Sequence, residues 1–189
     1  MRRLILAFSI LLILASPALA DIVRTVSTEY YLVEGRDPKT IFTNLKNHSP
    51  LNKGIKTYQA HTLTNIKYNL KWRNKGGQCT LTKATVYLHL TYKYPKLVHS
   101  VDYKTRKWWK EFMTNLEEHE LIHGEISTKA AHLLDETLES FPTTNCINFK
   151  AEIKKRATRI LDKMKRDQKE YDRLTEHGLK QKRNMGRYP

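Results

Sequence analysis

The run His119-Glu120-Leu121-Ile122-His123 has the form H-E-x-x-H. On a helix, residues four apart stand one above the other on a single face, so the two imidazoles can reach one metal ion. Glu120 then stands beside that ion, where a general base is needed. This is half of a catalytic zinc site, which takes three protein ligands and keeps a fourth position for water. A lone buried histidine is ordinarily a hydrogen-bonded structural residue. Two at this spacing, with a glutamate between them, are better explained by a shared ion.

The flanking residues supply the helix. No proline occurs from Thr105 to Ser140, and Trp108, Trp109, Phe112, Met113, Leu116, Ile122, Ile126, Ala130, Leu133, Leu134 and Leu138 recur with a period of about 3.6. His119 and His123 fall on the stripe from Phe112 through Leu116 to Ile126 and Ala130, so the pair is expected to face the core. Phe141-Pro142 ends this helix. A second long helix is expected to start at Thr143, Thr144 or Asn145, all good N-caps. It runs through Phe149, Ile153, Ala157, Ile160, Met164 and Tyr171 to a stop at Gly178.

Ahead of the motif, Ile22 to Val33 reads as a strand ended by Glu34-Gly35, and Asp37-Pro38 opens a short amphipathic helix carrying Ile41, Phe42 and Leu45. A turn is expected at Asn52 to Gly54. Thr62 to Arg73 and Thr80 to Tyr92 both alternate, and Gly76-Gly77 joins them, so they are expected to pair as an antiparallel hairpin ended by Tyr94-Pro95. The expected architecture is α+β: a small antiparallel sheet with one short helix, packed on two long helices, one of them a zincin-like active-site helix.

The chain has 189 residues, enough for one domain with a modest core. Arg2 and Arg3, the apolar run Leu4 to Leu14 and the small-x-small ending Ala18-Leu19-Ala20 read as a secretory signal peptide over residues 1–20. That run is short for a membrane span, and no later segment is apolar enough. The expected division is a signal peptide, a single domain over 21–178 and a basic tail over 179–189, with a secreted or periplasmic destination. The two cysteines, Cys79 and Cys146, both lie in the exported part; an even count in an oxidising compartment favours one disulfide, with two free thiols as the alternative. Formal charge is +15, and removing Arg2 and Arg3 leaves +13. Such an excess suits an anionic envelope surface or acidic substrates. Nucleic acid is not expected as a partner, since no recognised nucleic-acid motif accompanies the charge.

The third ligand has to come from elsewhere. A metzincin would place a histidine six residues after His123, where this chain has Lys129. Glu136 and Glu139 continue the same helix about 20 Å beyond the motif and cannot reach back. The remaining stretch is Tyr171-Asp172-Arg173-Leu174-Thr175-Glu176-His177-Gly178. Taken with the export signal, Trp72 in the middle strand, cysteines on either side of the motif helix and H-E-x-x-H, this Y-D-x-x-T-x-H-G ending resembles the bacterial predicted secreted zinc-dependent proteases, long catalogued as a domain of unknown function. The resemblance runs from about Tyr30 to Gly178. It implies a zincin-type metallopeptidase, with Tyr171, Asp172, Thr175 and His177 matching the second motif.

His177 is the leading candidate for the third ligand to Zn2+, and Asp172 the reserve. A simple helical hairpin about Pro142 would set Asp162 and Arg166 opposite the two histidines, and His177 would overshoot by roughly 15 to 20 Å. Glu120 is the expected general base, and Tyr171 a candidate oxyanion donor. Glu117, Glu118 and Glu125 are near enough in sequence to orient the ligand imidazoles. The expected activity is hydrolysis of a peptide or protein substrate. The alternatives are an exported binding protein of the same fold attached to the anionic envelope, and a zinc amidase acting on cell-wall peptides.

Overall fold

The computed structural model describes residues 19–51 and 58–178. The segment read as a signal peptide therefore lies outside the described residues except for Leu19 and Ala20, as do the turn expected at Asn52 and the basic tail. Seven elements follow in order: β1 (Leu19–Val33), α1 (Pro38–His48), β2 (His61–Lys75), β3 (Gln78–Leu97), α2 (Tyr103–Glu139), β4 (Thr144–Asn145) and α3 (Cys146–Thr175). Among the described residues no helix is long and apolar enough to cross a membrane.

The class is α+β, but the sheet is mixed rather than antiparallel. Its strand order is β1-β3-β2, with β1 parallel and β2 antiparallel to the central β3. Alternation reports which residues share a face and is blind to strand direction, so only the hairpin, joined by its own turn, was legible. That hairpin is as expected. Lys75 pairs with Gln78, and Gly76 and Gly77 both adopt positive φ, 57° and 78°, as a two-residue type I′ turn requires.

The strands run longer than expected, and Trp72 sits elsewhere in the sheet. β3 continues past Tyr94-Pro95 to Leu97, because the last β2 partner is His61 opposite Lys93. Beyond it β3 has only β1 as a neighbour, and a residue without N–H is tolerated there. Trp72 lies on β2, an edge strand rather than a middle one, next to the bulge between Lys71 and Trp72. Its ring rests 5.9 Å from that of Phe149, with Lys150 Nζ over its face.

Ala84, Val86, Leu88 and Leu90 of β3 form one core with Leu134 and Leu138 of α2 and Phe149 and Ile153 of α3. Each such fully buried leucine contributes roughly 1.5–3 kcal/mol. Leu133, assigned to the apolar stripe, is instead exposed. Asp102 caps α2 by accepting from Thr105 N, and Asn145 caps α3 by accepting from Ile147 N. Between the helices, Thr144 and Asn145 form a short strand against Gln78 and Cys79, and the Cys79–Cys146 disulfide pins that junction. α3 therefore starts beside the first residues of β3 rather than turning back at Pro142. This shifts its register along α2.

Candidate metal centre

The centre is built where α2, α3 and the start of β2 meet. α2 runs unbroken through the motif, and His119, Glu120 and His123 are only 4%, 5% and 8% exposed. The histidines face inward because their stripe continues the one set by Phe112 and Leu116. Gly124 lets the helix lie close to the sheet: a Cβ there would come within 3.0 Å of Tyr92 Cζ and closer still to its hydroxyl oxygen.

His119 Nε2 and His123 Nε2 are 3.1 Å apart. Asp172 Oδ1 lies 3.3 Å from the first and 3.0 Å from the second. Two imidazoles and one carboxylate oxygen thus close a triangle. Among the described residues this is the one group of His, Cys, Asp or Glu arranged so that a metal could be held. Zinc bonds of 2.0–2.2 Å in a tetrahedron set ligand atoms about 3.3 Å apart, so the donor set fits the ion in both chemistry and spacing.

His177 is at the site's edge. Its Nδ1 is 3.4 Å from Asp172 Oδ1, and its ring meets Tyr58 edge-on at 5.5 Å. The overshoot estimated for a hairpin about Pro142 does not occur. Gln168 and Asp172, not Asp162 and Arg166, stand opposite the histidine pair, six residues further along α3 than a symmetric hairpin would set them. The helix then stops at Thr175, and Glu176, His177 and Gly178 all take positive φ, which folds His177 back onto Asp172. Gly178 tolerates this conformation best, having no Cβ.

Tyr171 packs against both histidines of the pair. Its ring stacks on His119 at 4.9 Å and meets His123 edge-on at 5.1 Å. Burial and the nearby Glu120 and Asp172 charges push its hydroxyl up to about 12, so it keeps its proton at neutral pH. Thr175 Oγ1 donates to the Tyr171 carbonyl and ties the last turn of α3. Each residue of the Y-D-x-x-T-x-H-G ending therefore has a physical place at the site.

The electrostatics follow from the triangle. Burial opposes the Asp172 charge, but hydrogen bonds to His119 and His123 outweigh it and hold the carboxyl well below the usual range. Burial also opposes a charged His123. The hydrogen bond to Asp172 and the charges of Glu120 and Asp172 reverse that, leaving His123 above its ordinary value. Asp172 is thus held as a carboxylate facing both imidazoles.

Several residues here had no motif to announce them. Thr62 Oγ1 donates to Glu120 Oε2 at 2.6 Å and sits 3.0 Å from the Glu120 carbonyl oxygen. The partner of His123 Nδ1 is Gln168 Oε1, from α3, and not Glu117, Glu118 or Glu125. By contrast, buried His119 Nδ1 has no hydrogen-bond partner among the described residues. One signal was present in the sequence: Gly124, Ser127 and Ala131 are small residues at helical spacing, as a helix pressed against a sheet requires.

A cleft of about 520 Å³ opens onto the triangle. Its walls are the start of β2 from His61 to Thr64 and the face of α3 carrying Met164, Gln168 and Asp172, with His119, Glu120 and His123 as its floor. Over residues 28–178 the chain matches the family described as bacterial protein of unknown function (DUF922). The chain belongs to this family. The matched span takes in every residue of the triangle, the Thr62 and Gln168 contacts and the left-handed turn at Gly178. No curated protein and no solved structure matches the chain.

Proposed function

We propose that this protein is an exported zinc-dependent metallopeptidase, in which His119, His123 and Asp172 hold the metal and Glu120 is the general base. The observation that carries the reading is the convergence of three ligand atoms within 3.0–3.3 Å of one another, at the foot of an open cleft and beside a buried glutamate. A donor set of two histidines and one carboxylate leaves a fourth position for water, as catalytic zinc sites do. When bound, zinc would supply Lewis-acid polarisation of an amide carbonyl and acidification of a water molecule.

The chain's own residues do the rest. Thr62 holds Oε2 of Glu120, so the carboxylate is oriented before substrate arrives. Glu120 takes a proton from the water and returns it to the departing amide nitrogen. Tyr171 keeps its proton at neutral pH, as an oxyanion donor must, and its ring contacts support a role in holding both imidazoles in place. His177, beside Asp172, orients that carboxylate from the cleft side. Expected as the third ligand on sequence grounds, His177 in this reading acts on the metal through Asp172. The paired cysteines suit an exported protein.

The test is Glu120→Gln, assayed on a broad library of quenched peptides after folding in zinc-containing buffer. The expected result is loss of hydrolysis by a factor of about 10² or more with one zinc retained. Hydrolysis unchanged in the variant would refute the role of Glu120. Zinc retained with no hydrolysis by either form would instead favour an exported binding protein of this fold.

A further inference from the structure

We infer that Gln168 sets the tautomer of His123 and thereby makes its Nε2 a metal-ligand atom. The inference rests on the zinc-site reading and adds to it a positioning residue that neither sequence motif contains. Gln168 precedes Asp172 by four residues, so one face of α3 delivers both the ligand and the group that orients its neighbour.

The amide of Gln168 can stand in only one orientation. Its Nε2 donates to the His123 carbonyl and to Ser127 Oγ, each at 3.0 Å. A carbonyl oxygen only accepts, so turning the amide over would set two acceptors against each other. Ser127 is fully buried, donates to the same carbonyl and shares a 2.7 Å hydrogen bond with Thr64 of β2. The network is therefore anchored at both ends. With its nitrogen committed, Gln168 has Oε1 left for the His123 ring, and Oε1 meets Nδ1. An acceptor at that position requires Nδ1 to carry the proton. The neutral ring then has its lone pair on Nε2, the atom facing His119 and Asp172.

His119 has no equivalent. Its Nδ1 lacks a partner among the described residues, and its ring is held by stacking on Tyr171. The two ligands are thus oriented by different means, one polar and one apolar. The polar one responds to a single amide.

The experiment uses the mature protein with 15N-labelled histidine, read by NMR at alkaline pH without metal, and Zn2+ affinity measured by chelator competition. The expected result is the Nδ1–H tautomer for His123 in the wild type and its loss in Gln168→Leu, with zinc affinity lowered about 10- to 100-fold. Gln168→Glu keeps an acceptor at Nδ1 but sets a carboxylate oxygen against the His123 carbonyl, so it should restore the Nδ1–H tautomer and only part of the zinc affinity. A wild-type ring protonated at Nε2, or a Gln168→Leu protein with unchanged tautomer and affinity, overturns the inference. Should Gln168→Leu not fold, the wild-type spectrum and Gln168→Glu decide alone. If the wild type binds no Zn2+, the zinc reading falls while the tautomer still tests this one.

Discussion

Gly124 offers the sharpest test of how α2 sits on the sheet, because two effects of comparable size oppose each other there. In an exposed helix interior, replacing glycine with alanine stabilises by about 1 kcal/mol. At Gly124 the added Cβ would approach Tyr92 Cζ to 3.0 Å and its hydroxyl oxygen more closely, and Tyr92 is itself buried between the layers. Overpacking of this kind costs about 1–3 kcal/mol, and contact this close belongs at the upper end. Gly124→Ala should therefore destabilise by about 2 kcal/mol, or lower Tm by roughly 4–8 °C for a domain of this size. It should also weaken zinc binding by moving His123. Tyr92→Phe removes the nearest atom and leaves only the tight Cζ contact, so the double variant should recover most of the loss. The assay is urea unfolding of the four proteins of the cycle. Stabilisation by Gly124→Ala alone would refute the close packing that positions the motif, and so would a strictly additive cycle.

Four further outcomes follow from the same geometry. Asp172→Asn should lower Zn2+ affinity by about 100-fold or more, at least the upper end of what loss of an outer partner costs, and chelator competition measures it; an unchanged affinity would remove Asp172 from the ligand set. Zinc and proton compete for His123, whose ordinary value of 6.5 is raised, so affinity should keep rising as pH increases through and beyond 6.5, as titration calorimetry would show; affinity already constant below that pH would contradict the arrangement. For the metal-free protein the same shift stabilises the fold at low pH and is lost as pH rises through the folded value, while the depressed Asp172 contributes above its unfolded value of 3.8 and is lost on acidification. The Cys79–Cys146 disulfide spans 67 residues, so replacing both cysteines with serine should cost about 4 kcal/mol in urea unfolding, and no change would show that α3 needs no such tether.

What could be read from the sequence was local. H-E-x-x-H, the two-glycine hairpin and the caps at Asp37 and Asn145 each depend on a few neighbouring residues, and each lies where its local chemistry predicts. What could not be read depends on how elements meet. The parallel pairing of β1 with β3 joins residues about sixty apart and leaves no mark in alternation. That Asp172 rather than His177 closes the triangle depends on how far α3 slides along α2. Gln168 and Asp172 stand where a symmetric hairpin would put Asp162 and Arg166, a slide of six residues or nearly two turns along α2. Thr62, Thr64, Ser127 and Gln168 are common polar residues, and nothing in their spacing marks them until β2 and α3 are both set against α2.

The most direct measurement is a zinc-edge anomalous difference map from crystals of the mature protein grown with Zn2+. One peak bonded to His119 Nε2, His123 Nε2 and Asp172 Oδ1 is the predicted result. Absence of a peak at the triangle, or an ion held there by His177 in place of Asp172, would contradict the account.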